Sequence, residues 1–150
     1  MTAADDPWIT AVAVLKLSTR LIDQIDAGVR AAGFADVTPL HGFAFARIAM
    51  GDATTADLAA HLGVTKQAAA QLVDRLVRAR YVERHPHPAD RRARLLELTD
   101  RGTACMWAAR RAAERAIDQW RAEIPPEDSA RFEATLRALT ASVPFYRPTV

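Results

Sequence analysis

Several things are scarce in this 150-residue chain, and each scarcity removes a class of protein. There is one cysteine, Cys105, which excludes an internal disulfide framework and a multi-cysteine zinc site. No apolar run approaches the ~18 residues of a spanning helix, so no membrane partner is expected. The opening MTAADDPW is acidic and lacks the basic-then-apolar order of a secretory signal, so a cytoplasmic location is expected. Serine occurs only as Ser18, Ser129 and Ser142, all in helical stretches and none beside a histidine. Gly-rich phosphate loops, nucleophile elbows and His-x-x-x-His pairs are missing as well. These gaps argue against an enzyme and imply no cofactor.

Charge of one sign is also nearly lacking, at +2 overall. Its distribution is less even. Between Lys66 and Arg101 nine Lys/Arg stand against five Asp/Glu, and the stretch HPHPADRRARLLELTDRG puts Arg91, Arg92 and Arg94 at a turn. His85-Pro-His87 offers two imidazoles there, but no adjoining cysteine or carboxylate cluster completes a tetrahedral site, and no metal is expected.

What is present is helical. Half the residues are hydrophobic, alanine is abundant and β-branched residues are sparse, which predicts one mainly α domain over residues 1–150. Apolar residues recur at helical spacing from Trp8 to Ala32 and stop at Gly33. Thr38-Pro39 reads as the start of a second helix ending near Gly51. Thr54 or Thr55 caps a third through Leu62, and Thr65 caps a fourth reaching about Arg80. Tyr81 and Val82 begin a strand, prolines 86 and 88 bar helix across the tip, and Arg94 to Leu98 returns as a second strand. Thr99 starts a long fifth helix, Pro125-Pro126 ends it, and a sixth runs from Glu127 to Ser142. The order is α-α-α-α-β-β-α-α.

TTADLAAHLGVTKQAAAQLVDRLVRARYVERH has the pattern of a helix-turn-helix. Ala59 is small where two helices cross, and Gly63 tolerates positive φ in the turn. Val64, Leu72, Val73 and Leu76 anchor the second helix. Its other face carries Thr65, Lys66, Gln67, Ala68 and Gln71, which suit base edges and phosphates in a major groove. A basic hairpin directly after that helix makes a wing, and arginine at its tip is attracted to the minor groove. Asp90, two residues before Arg92, is placed to aim the guanidinium through an ion pair.

DRRARLLELTDRG resembles the wing signature of the MarR family of winged-helix regulators, through Asp90, Arg92, Leu96, Leu98, Thr99 and Gly102. The preceding helix-turn-helix is similar too, so the likeness is strong from Thr54 to Gly102 and architectural elsewhere. It implies a winged helix-turn-helix over 38–99 and dimerisation helices over 8–33 and 100–143. It further implies an obligate homodimer on a pseudo-palindromic double-stranded DNA operator, with Arg92 at the minor groove and Thr65, Gln67 and Gln71 facing the major groove. Phosphate contacts are expected from Lys66, Arg75, Arg84, Arg91 and Arg94, and repression by occupying the operator.

The resemblance also implies a small aromatic or phenolic effector between the dimerisation helices and the winged helix, where Trp8, His41, Phe45 and Trp107 are the candidate lining. His41-Gly42-Phe43 departs from the family, which often has glutamine and bulkier aliphatics there. Cys105 reads as a buried small hydrophobe. The rival reading is a winged-helix module for protein–protein assembly, whose mark would be an apolar or acidic exposed face on the fourth helix.

Overall fold

The computed structural model describes residues 6–143. In chain order the elements are α1 (Pro7–Ala31), α2 (Pro39–Ala49), α3 (Thr55–Leu62), α4 (Lys66–Arg78), β1 (Val82–Pro86), β2 (Arg94–Leu98), α5 (Asp100–Glu123) and α6 (Pro126–Thr140). The expected mainly helical order with a two-stranded wing is the observed one. Asp6 caps α1 by accepting from the Trp8 N–H at 2.9 Å, and Pro7 takes the first-turn position where its missing N–H costs nothing. Past the end of α1, Gly33 adopts φ +94°, which a Cβ would strain.

Boundaries shift in two places for identifiable reasons. The helix expected to reach Arg80 ends at Arg78, because Arg80 turns through φ +60° and delivers Tyr81 to the core instead of to the strand. The Pro125-Pro126 pair both ends α5 and opens α6, since proline suits the first helical turn. One pairing was not expected. Ala53, ahead of α3, bridges Leu96, whose N–H donates to the Ala53 carbonyl at 2.8 Å, so β2 lies between Ala53 and β1 and ties the wing to the body.

The core lies between α2, α3, α4, the wing root and the first half of α5. Phe45, Leu58, Leu62, Leu72, Leu76, Tyr81 and Leu96 are its large, fully buried side chains. The long helices α1 and α5 run antiparallel against each other away from it. Gln24 accepts from Trp120 Nε1 at 3.1 Å, and Arg20 reaches Glu123 one turn further along. The two backbones approach closely, because a Cβ on Gly28 would sit 2.4 Å from Ala112 Cβ. Among the described residues no helix is long and apolar enough to cross a membrane.

Thr99 and Gly102 dock α5 onto the wing root. The Thr99 N–H donates to the Tyr81 carbonyl at 3.1 Å, its hydroxyl donates to the Arg80 carbonyl at 2.6 Å, and the same oxygen accepts from the Gly102 N–H at 3.0 Å. A Cβ at position 102 would lie 2.1 Å from the Tyr81 carbonyl oxygen, so the Thr-x-x-Gly spacing is a close-approach requirement.

Gly102→Ala is therefore expected to lower stability by about 1–3 kcal/mol, the usual cost of overpacking against a fixed neighbour. Gly42, inside α2 with nothing within 4 Å of an added Cβ, should instead gain about 0.5 kcal/mol on substitution by alanine. Urea denaturation of the two variants checks the contrast; equal effects would contradict it.

Candidate nucleic-acid interface

The α3–turn–α4 unit is held by local capping. At the start of α3 the Thr54 N–H donates to Asp57 Oδ2 at 2.9 Å and the Asp57 N–H returns to Thr54 Oγ1 at 3.2 Å. The Thr54 hydroxyl, which also donates to Asp57 Oδ2 at 2.6 Å, and then the Thr54 N–H hold the Asp57 carboxyl below the ordinary aspartate range. Gly63 makes the turn at φ +64°, and Ala59 is buried at the crossing. Thr65 caps α4 by accepting from the Ala68 N–H at 3.1 Å.

On α4 the buried residues are Ala69, Leu72, Val73 and Leu76, spaced so that they share one face against the core. Thr65, Lys66, Gln67, Ala68, Gln71 and Arg75 are all exposed. The outer face is thus polar and basic, with alanines 68 and 70 keeping the helix slim. An apolar or acidic face, the mark of a protein-docking module, is not what the helix presents.

The wing pairs Val82 with Leu98, Arg84 with Leu96 and Pro86 with Arg94 in antiparallel register. Its tip is ordered by its own side chains. His87 Nδ1 accepts from the Ala89 and Asp90 N–H groups, each at 3.1 Å, and Asp90 Oδ1 accepts from the Arg92 N–H at 2.8 Å. The expected ion pair between Asp90 and the Arg92 guanidinium is not formed: the carboxylate is spent on the Arg92 backbone, two residues on, as aspartate in turns does. Arg91, Arg92 and Arg94 remain exposed, with no carboxylate partner among the described residues. Arg84 differs from them. Its guanidinium is bound to Asp74 of α4, so it ties the wing to the helix beside it and is not a free cation.

The four residues expected around an effector are not brought together. Phe45 is 1% exposed and packs on Tyr81 with ring centroids 5.5 Å apart. His41 turns back to accept from the Thr38 N–H at 3.1 Å; burial first, then the Arg75 charge, lowers its pKa. Trp8 stands exposed in the first turn of α1, and Trp107 lies exposed under the Arg110 guanidinium. A cleft of about 350 Å³ does exist between α1, α2 and α5, but other residues line it. Ile25, Val29, Phe43 and Met106 give it apolar walls, and Asp26, Thr38 and Arg110 give it polar groups. Periodicity could not single out this lining, because the same residues read as ordinary helix-packing positions. Gly42 and Phe43, at the noted family departure, do face the cleft.

Cys105 is buried at 1% exposure and its thiol is pushed up to about 11, chiefly by desolvation. Next to it Tyr81 donates its hydroxyl to Asp36 Oδ1 at 2.6 Å and accepts from Arg101 at 2.8 Å. Burial and the Asp36 carboxylate push the phenol up to about 12.

Residues 35–93 match the family model described as MarR family. Among solved structures, RV1404 from Mycobacterium tuberculosis is similar at 25% identity, over 95% of this chain and 98% of that one, with a TM-score of 0.80. A mutant MarR from E. coli complexed with operator DNA is similar in fold at 19% identity, over 93% and 99% of the chains, with a TM-score of 0.69. A mutant S. aureus MepR bound to an oligodeoxyribonucleotide follows at 18% identity, over 89% and 97%, with a TM-score of 0.65. No curated protein matches the chain.

With its thiol buried and its pKa raised, Cys105 should alkylate with iodoacetamide at pH 8 at least about tenfold slower in the native protein than in urea. Intact-mass measurement over time reads this; equal rates would make Cys105 a reactive thiol.

Proposed function

We propose that the chain, matched to the MarR family model over residues 35–93, is a transcription regulator of that family and acts as a homodimeric repressor on a pseudo-palindromic DNA operator. The observation that carries this reading is the pairing of two surfaces. The exposed polar face of α4 is backed by a rigid apolar anchor, and the strand that follows leads to a self-ordered tip with three unpaired arginines. Two similar folds hold DNA.

In this reading Thr65, Gln67, Ala68 and Gln71 meet base edges in the major groove. Lys66, Arg75, Arg91 and Arg94 neutralise phosphates, and Arg92 enters the minor groove. Arg84, held by Asp74, acts as a strut between helix and wing. Asp90 positions Arg92 through the backbone bond it accepts. The protein works beside the DNA in the cytoplasm and represses by occupying the operator.

A second copy of the chain is the partner that the terminal helices call for. Trp8, Ile9, Val14 and Leu15 on α1 and Phe132, Leu136 and Leu139 on α6 are exposed, several of them more than half. Apolar side chains exposed on both terminal helices are what an interface with another chain would cover. Dimerisation would cover it and set two α4 helices about one duplex turn apart. The α1–α2–α5 cleft is the proposed effector site, where a small aromatic molecule would pack on Phe43 and Met106 with a polar group toward Asp26 or Arg110.

Arg92→Ala is expected to weaken operator binding by about 1–3 kcal/mol without altering helicity, and Asp90→Ala to act the same way but less. Fluorescence anisotropy on promoter DNA measures both; unchanged affinity for Arg92→Ala would remove the wing from the mechanism. Lys66→Ala should weaken all duplexes alike and reduce the salt dependence, whereas Gln71→Ala should relax preference at particular base pairs. Equal losses on random and selected DNA for both variants would reduce α4 to an electrostatic contact. Sedimentation at micromolar concentration should give a dimer, and a folded monomer that binds palindromic DNA tightly would contradict the obligate dimer.

A further inference from the structure

The outward face of the wing carries an arrangement that chain spacing conceals. Strand register sets Glu83 directly opposite Glu97, and alternation puts His85 on the same face, two residues along β1. Two carboxylates facing each other across a two-stranded sheet repel, so the pair needs something between them. His85 Nε2 points there. It lies 3.2 Å from Glu83 Oε1 and 3.4 Å from Glu97 Oε2. That nitrogen is shielded from solvent yet makes no hydrogen bond, although both carboxylates are within reach. One donor atom from each of the three residues lies within 4.8 Å of the others.

We propose that Glu83, His85 and Glu97 form a divalent-cation site of zinc type at the root of the wing. Zinc binds imidazole nitrogen and carboxylate oxygen at about 2.0–2.2 Å, so neighbouring ligands of a tetrahedral ion stand about 3.3–3.5 Å apart. Of the two separations from Nε2, 3.4 Å falls on that edge length and 3.2 Å lies just below it, so only a small outward shift of Glu83 is needed. The distance between the two carboxylates adjusts by rotation of the exposed glutamate side chains. Three protein ligands leave the fourth position to water. The ion accepts lone pairs from one neutral imidazole and two carboxylates, so no oxidant or reductant is involved. It offsets the repulsion across the strands and clamps β1 to β2 beneath the tip that presents Arg92. The sequence offered His85 with His87 as the metal pair, but His87 is engaged with the backbone of the tip.

The test is calorimetric titration of Zn²⁺ into the full-length protein, freed of metal by chelator and without DNA. One ion per chain is expected, with affinity at least about tenfold lower in Glu97→Gln and in His85→Ala. His87→Ala should keep the affinity. Co²⁺ should give the intense visible absorption of four-coordinate cobalt in the wild type and lose it in Glu97→Gln, whose fold circular dichroism monitors. Absence of zinc binding by the wild type would overturn the proposal. So would affinity that survives Glu97→Gln, which would mark adventitious surface binding, or affinity lost in His87→Ala but not in Glu97→Gln, which would move the site to the histidine pair.

Discussion

Tyr81 is the residue on which the geometry of the molecule turns. Its ring is buried between Phe34 and Phe45, and its N–H closes α4 by donating to the Leu76 carbonyl at 2.9 Å. Its carbonyl receives the Thr99 N–H that starts α5, and its hydroxyl is shared between Asp36 and Arg101. One side chain and one peptide unit thereby fix where the exposed helix ends, where the wing begins and where the long helix α5 departs. A buried phenol satisfied on both its donor and acceptor sides costs little to desolvate and is hard to displace. Gly102 is part of the same constraint, because only a missing Cβ lets α5 come down on that carbonyl.

The polar surface divides by what each group is bound to. Arg20, Arg84, Arg110 and Arg121 hold carboxylates and serve as ties between or along elements. Exposed ties of this sort contribute little stability; their effect is to spend charge locally. The cations left over are concentrated at α4 and the wing tip, which is why a chain of net charge +2 can still present a basic surface where a duplex would lie. The cleft between α1, α2 and α5 is bordered by Val37 and Thr38, next to Asp36, so a ligand there would press on the segment that the Tyr81 hydroxyl holds. That short covalent step joins the cleft to the Tyr81 junction between α4 and the wing.

Local chemistry explains what the sequence made legible. Thr65, Gly63, Thr54 and the Thr99–Gly102 pair act on their immediate neighbours, so caps and turns could be read directly, and with them the helix order and the wing. The exposed set on α4 followed from its apolar period. Long-range pairing was hidden. Nothing along the chain says that Glu97 stands opposite Glu83, that Asp74 takes Arg84, or that Ala53 bridges Leu96. The cleft was expected between the terminal helices and the winged helix, but its lining was misassigned for the same reason, since Trp8, Phe45 and Trp107 drew attention while Ile25, Val29, Phe43 and Met106 from three helices build the walls. Asp90 was placed correctly in sequence and wrongly in partner, because a short carboxylate reaches a backbone N–H two residues on before it reaches a guanidinium.

In the proposed function two α4 helices and two wings engage one duplex through a two-fold arrangement. The direct measurement is hydroxyl-radical footprinting on a sequence selected by the protein from random double-stranded DNA. The expected result is an enriched inverted repeat, protected in two tracts on one face of the duplex about 10 base pairs apart, with flanking minor-groove protection from the wings. A selection that enriches no sequence, or a single protected tract without symmetry, would contradict it.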